Sequence, residues 1–81
     1  DLKVITHKSV ALAAQNFMLS MAEIGYDTCP MEGSDTKRVK KILNLPRKAE
    51  ITMIIACGVR NDNGIYSPRF RVPFDEVYKK I

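Results

Sequence analysis

The chain has 81 residues, 46% of them apolar and 27% charged, with a formal net charge of +4. That length allows one domain at most, with little core to offset the entropy of ordering it. A structural metal is excluded as its support: Cys29, Cys57 and the single histidine His7 form no Cys-x-x-Cys pair and fall short of about four spaced zinc ligands. The two cysteines are read as reduced, mostly buried thiols of a cytoplasmic protein rather than a disulfide. No run approaches the ~20 apolar residues of a membrane span, and Asp1-Leu2-Lys3-Val4 lacks the basic-then-apolar start of a signal peptide. A first residue that is not Met fits an amino terminus lying inside a longer gene product. The modest positive charge suits an anionic ligand or a weak nucleic-acid contact equally.

The first element is a helix from about Thr6 or Ser9, both N-cap residue types, to Gly25, where a left-handed C-terminal residue is wanted. Val10, Ala14, Phe17, Met18, Met21 and Ile24 recur at helical spacing, and Leu12, Leu19 and Ala22 add apolar groups on other faces. A helix apolar over most of its circumference is a buried one. Tyr26 to Gly33 reads as an extended segment interrupted by Pro30. A second helix follows, capped by Ser34 or Asp35 and stopped before Pro46. Val39, Ile42 and Leu43 form its inner stripe, with Lys37, Arg38, Lys40 and Lys41 outward.

Glu50 to Val59 reads as a strand whose two faces are both nearly apolar, the mark of an interior strand covered on both sides. Such a strand needs two neighbours. The sequence offers Pro68–Pro73 and a short stretch at Leu2–Ile5. Asn61-Asp62-Asn63-Gly64 is a turn. In Arg69-Phe70-Arg71-Val72 basic and apolar residues alternate, and Phe74 to Ile81 closes the chain as a short amphipathic helix. These α/β pieces are too few to close a core, which favours a fragment or an intertwined oligomer, its sheet completed by further chain or by a partner subunit.

Five segments in this order carry a resemblance: Ala14-Gln15-Asn16-Phe17-Met18-Leu19; Glu23-Ile24-Gly25-Tyr26-Asp27-Thr28-Cys29-Pro30-Met31-Glu32-Gly33; Ile42-Leu43-Asn44-Leu45-Pro46; Cys57-Gly58; and Arg69-Phe70-Arg71-Val72-Pro73. The succession resembles the second half of the nitroreductase family, FMN-dependent, NAD(P)H-oxidising homodimers of α+β sandwich fold, and runs from about Ser9 to Val77. By that resemblance residues 1–81 are the carboxy-terminal portion of one such domain. It implies that Pro30, Met31, Glu32 and Gly33 lie against the flavin ring, with the main-chain amides of the Glu32-Gly33 pair near N5 and O4. There they would stabilise charge on the reduced ring. It implies that Arg69 and Arg71 reach the FMN phosphate, a dianion that guanidinium groups grip bidentately. The implied reaction passes electrons from NADH or NADPH through the flavin to a nitroaromatic or quinone-type acceptor. The cofactor carries the chemistry, so no catalytic residue is assigned, and Glu32 is given position rather than proton transfer.

Two departures stand against the family pattern. Ser34 occupies a position that is bulky and apolar in many relatives, and the family's amino-terminal half, with its arginine-rich FMN-binding segment and interface helix, is absent. Rival readings remain at this level. Gly33 and Pro30 can be plain turn residues, and Arg69 and Arg71 can guard an exposed edge. His7 reads as a surface residue ahead of the first helix. The chain as a whole can be an inactive truncated fragment without flavin. The lysines of the second helix can contact nucleic-acid phosphates, but helix-turn-helix spacing and ribonucleoprotein-type aromatics are missing, so no nucleic-acid partner and no membrane association is expected.

Overall fold

A computed structural model describes all 81 residues. In chain order it contains helix α1 (Leu2–Glu23), strand β1 (Asp27–Met31), helix α2 (Thr36–Ile42), strand β2 (Ile54–Gly58), a 3-10 turn at Asp62–Gly64 and helix α3 (Phe74–Val77). The class is α+β: helices against one two-stranded antiparallel sheet.

Helix α1 starts earlier than the cap residues Thr6 and Ser9 suggest. The Asp1 carboxylate accepts from the Lys3 amide at 3.0 Å and caps the helix there. Thr6 is interior, its hydroxyl bonded back to the Leu2 carbonyl at 2.7 Å. Leu2–Ile5 is therefore helix, not a strand candidate. The far end follows the sequence. Gly25 has φ +91, its amide bonds to Ala22 O, and the Tyr26 amide bonds to Met21 O. That pair of bonds is a Schellman motif. Helix α2 ends the same way with Asn44 (φ 54) in the left-handed position, Asn44 N bonding to Lys41 O and Leu45 N to Lys40 O. Its start is as expected, with the Asp35 carboxylate accepting from the Arg38 amide.

The reversal at Gly25 delivers the chain into β1, which runs straight through Pro30 and pairs with β2 in the register Asp27↔Gly58 to Met31↔Ile54. Proline has no amide for the ladder and is tolerated on an edge strand. This corrects the sequence expectation on three points. The partner of β2 is β1 rather than Pro68–Pro73, which forms no strand; β2 is shorter than Glu50–Val59; and within this chain it has one neighbour instead of two. In the ladder Cys57 lies opposite Thr28 while Cys29 lies opposite Ala56. Paired residues share a face and successive residues alternate, so the two thiols point to opposite faces. Both are free and exposed, not buried as their residue type suggests.

Contact between α1 and the rest of the chain follows one stripe. Its only non-exposed residues are His7, Ala11, Ala14, Met18 and Met21, spaced four, three, four and three apart. Ala14, at 8% exposure, is the only buried residue of the chain. Val10, Phe17 and Ile24, expected in the core, flank this stripe and are exposed, as are Ile5, Leu12 and Leu19 on the side turned away. The physical reason is a shortage of neighbours: the sheet covers one side of α1 and nothing in these 81 residues covers the others. The overall dimensions agree. The radius of gyration is 16.1 Å, against about 12 Å for a closed domain of this length.

Polar ties do part of the work that a core would do. His7 belongs to α1, not to its approach, and its Nδ1 lies 2.8 Å from the Thr52 hydroxyl. Lys3 Nζ bonds Glu50 Oε1 at 3.0 Å. Lys40 does not point outward as expected. It is half-buried and donates to the Arg47 and Ala49 carbonyls at 3.0 and 3.1 Å, holding the turn at residues 46–49 against α2. Ile42 and Leu43, expected to be buried, are exposed. At the end of the chain α3 is a single turn, continued by stacking of Phe74 on Tyr78 with ring centroids 4.7 Å apart.

Nothing lies within 4 Å of a Cβ built on Gly25, so Gly25→Ala meets only the cost of its left-handed backbone; chemical denaturation should show a loss of about 1–2 kcal/mol. The hydrogen bond from Lys3, and then its charge, hold the Glu50 carboxyl below its ordinary pKa, with Lys40 and His7 adding smaller charge effects. A lowered folded-state pKa gives stability that is present above the ordinary carboxylate range and lost as pH falls through the lowered value. The acid limb of a melting-temperature profile should therefore be shallower in Glu50→Gln than in the parent, and identical limbs would remove this account.

Candidate functional site

The four residues expected at a flavin ring lie where the sheet gives out. Pro30 and Met31 are the last two residues of β1, and Glu32 and Gly33 follow in the link to α2. Pairing ends at Met31↔Ile54, so beyond that point the backbone is released from the ladder. The amides of Glu32 and Gly33 donate to no acceptor, on the backbone or on a side chain. The Glu32 carboxylate has no cationic partner. Gly33 has no positive φ, and a Cβ built on it meets nothing within 4 Å. The local result is two adjacent free donors beside a side-chain-free position. A flat, polar-edged ligand could approach such a backbone closely. Ser34, next along, is half-buried ahead of the Asp35 cap.

Arg69 and Arg71 sit in the irregular stretch between the 3-10 turn and α3. Both are exposed and neither is in an ion pair. Arg71 Nη1 donates to the carbonyl of its neighbour Phe70 at 2.8 Å, which leaves most of the guanidinium donors open. Because Pro68–Pro73 is not paired to the sheet, no ladder fixes where these two side chains stand relative to Glu32-Gly33.

Two open depressions mark the surface. One, of about 470 Å³, lies at the end of the sheet where Arg60 Nη2 bonds Asp27 Oδ1 at 2.9 Å; Cys29 and Cys57 also line it. The other, of about 450 Å³, lies beside α2 among Lys37, Lys40, Lys41 and Arg47. None of Pro30, Met31, Glu32, Gly33, Arg69 or Arg71 lines either one. Reading the residues alone gave no signal for the Asp27–Arg60 pair, which depends on a strand register. Asn44, by contrast, was open to recognition as a helix-ending residue before Pro46.

The chain has clear relatives. The nitroreductase family model matches residues 3–59, a stretch that holds both strands and Pro30–Gly33 but stops short of Arg69 and Arg71. MhqN of Bacillus subtilis, provisionally named an NAD(P)H nitroreductase, is 39% identical over 69 residues, 85% of this chain and 34% of MhqN. DrgA of Synechocystis is 38% identical over 56 residues, 69% of this chain and 27% of that protein. A Staphylococcus epidermidis protein named NADPH-dependent oxidoreductase is 34% identical over 73 residues, 88% of this chain and 29% of its own length. Among solved structures, the provisionally assigned nitroreductase ydfN of Bacillus subtilis superposes with a TM-score of 0.78 at 38% identity, over 88% of this chain and 34% of that one. This chain thus spans about a third, or less, of the length of the relatives it matches. With more than half of its residues matched by the family model, and a similar structure over most of its length, the chain belongs to the nitroreductase family.

Proposed function

We propose that the chain is the carboxy-terminal portion of a single nitroreductase domain, supplying one wall of the flavin site of an FMN-dependent NAD(P)H oxidoreductase. The observation that carries this reading is the pair of unbonded amides at Glu32 and Gly33, adjacent to an open glycine inside the family-matched stretch. Those amides would hold the polar edge of the ring, Pro30 and Met31 would bound it, and Arg69 and Arg71 would hold the phosphate. Bound there, FMN supplies the capacity to take hydride from a nicotinamide and return electrons to a second acceptor. The protein residues bind and orient.

The acceptor in this reading is a small nitroaromatic or quinone, and the donor is NADH or NADPH. The names of the Bacillus and Staphylococcus relatives support the oxidoreductase class and the nicotinamide donor. A homodimer fits the exposed apolar sides of α1, which a second subunit or further chain would cover, and the cytoplasm is the setting assigned with it. No helix is long and apolar enough to cross a membrane.

Gly33 separates cofactor binding from folding. Gly33→Ala adds a Cβ that meets no atom within 4 Å in this chain and no left-handed backbone, so the melting temperature should hardly move. The added side chain would stand where the ring approaches, and FMN affinity, read by flavin fluorescence quenching, should fall at least about tenfold, or ~1.4 kcal/mol. The paired change Arg69→Ala and Arg71→Ala should weaken FMN binding while leaving riboflavin binding little altered, because only FMN carries the phosphate. Equal FMN affinity in parent and variants would remove both assignments. A purified protein lacking absorption bands near ~450 nm, and unable to acquire them from added FMN, would favour an inactive fragment.

A further inference from the structure

The basic depression beside α2 is not used by the flavin reading and stands apart from it. Lys37 and Lys41 lie one helical turn apart on α2, so they share a face. Arg47 comes from the following turn, at residues 46–49. Lys40 fixes that turn through its bonds to the Arg47 and Ala49 carbonyls, which brings Arg47 to the same depression as the two lysines. The residues lining it include no carboxylate; Asn44 and Leu45 complete it. Nearby acids are engaged: Asp35 caps α2 and Glu50 is bonded to Lys3. The side chains of Lys37, Lys41 and Arg47 make no hydrogen bond or ion pair within the chain.

Three unpaired cations around one depression repel one another, and a multivalent anion relieves that repulsion while matching the guanidinium fork and two ammonium donors. We propose that this depression binds the phosphate group of a small molecule, with Lys37, Lys41 and Arg47 as its ligands and Lys40 as the positioning residue. At about 450 Å³ the space accommodates either free phosphate or pyrophosphate, or the phosphate of a nucleotide. The proposal does not depend on FMN binding at Glu32-Gly33.

The test is calorimetric titration of the full chain with inorganic phosphate, pyrophosphate and 2′,5′-ADP at low ionic strength. Saturable one-site binding of at least one of them is expected, with affinity falling about tenfold or more in Lys37→Gln/Lys41→Gln and in Arg47→Gln. The double variant Lys79→Gln/Lys80→Gln removes the same two charges from exposed positions elsewhere and should bind as the parent does. Tighter binding of 2′,5′-ADP than of pyrophosphate identifies a nucleotide phosphate as the source; the reverse identifies a free phosphate. Equal weakening in both double variants overturns the proposal, since only net charge would then be at work. So does absence of binding by all three anions. The substituted lysines contact no partner, so circular dichroism should show unchanged secondary structure throughout.

Discussion

Five residue pairs, from Asp27↔Gly58 to Met31↔Ile54, join parts of the chain that are otherwise remote in sequence. Without that ladder, α1 packs on no sheet and the link to α2 has no fixed origin. The ladder depends in turn on the reversal at Gly25. A Schellman turn with φ +91 sends the chain back from the end of α1 directly into β1, and Asp27 is then tied to Arg60 beyond the end of β2. A two-stranded sheet is marginal in water by itself. Here it is supported by the Met21, Met18 and Ala14 side of α1, and by the His7–Thr52 and Lys3–Glu50 ties on the segment that enters β2.

The balance of forces explains why the chain is extended. Exposed ion pairs such as Lys3–Glu50 and Arg60–Asp27 contribute little individually, typically about 0–1 kcal/mol. Apolar burial normally supplies the difference, yet Ala14 is the only buried residue. Meanwhile Leu12, at 72% exposure, and Leu19, at 60%, lie on a helix whose sequence is apolar nearly all round. A sequence of that kind is fitted to a larger body than the one these residues build, in keeping with relatives about three times as long or more.

Much of this was legible in the residues, and the divisions fall on physical lines. Local signals held well. Gly25 as a left-handed terminator, Asp35 as a cap and Asn61–Gly64 as a turn are settled within a few residues of themselves. The α+β class and the family also held, the latter because five separate segments occur in order. Pairing did not. Whether β2 finds β1 or Pro68–Pro73 depends on where the intervening chain goes, and alternation of Arg69 and Arg71 with Phe70 and Val72 does not create a ladder. Burial failed for apolar side chains in one direction, since apolar type reports what a side chain would bury given neighbours. Val10, Phe17, Ile24, Cys29 and Cys57 were all expected inside and all are exposed.

The same distinction governs the candidate site. A backbone feature such as the free amides of Glu32 and Gly33 is created locally, by a strand that ends and a helix that has not begun, and so it is present even in a chain that spans about a third of its relatives' length. Gathering Arg69 and Arg71 opposite those amides is a tertiary property, and the segment that carries them has no sheet to fix it. The groove of Lys37, Lys41 and Arg47 lies between these cases. Its shape comes from a seven-residue helix, an Asn44 terminator and one lysine bonded to two carbonyls, all within a dozen or so residues. That places its formation within reach of the chain as it stands, independent of any segment that would fix Arg69 and Arg71.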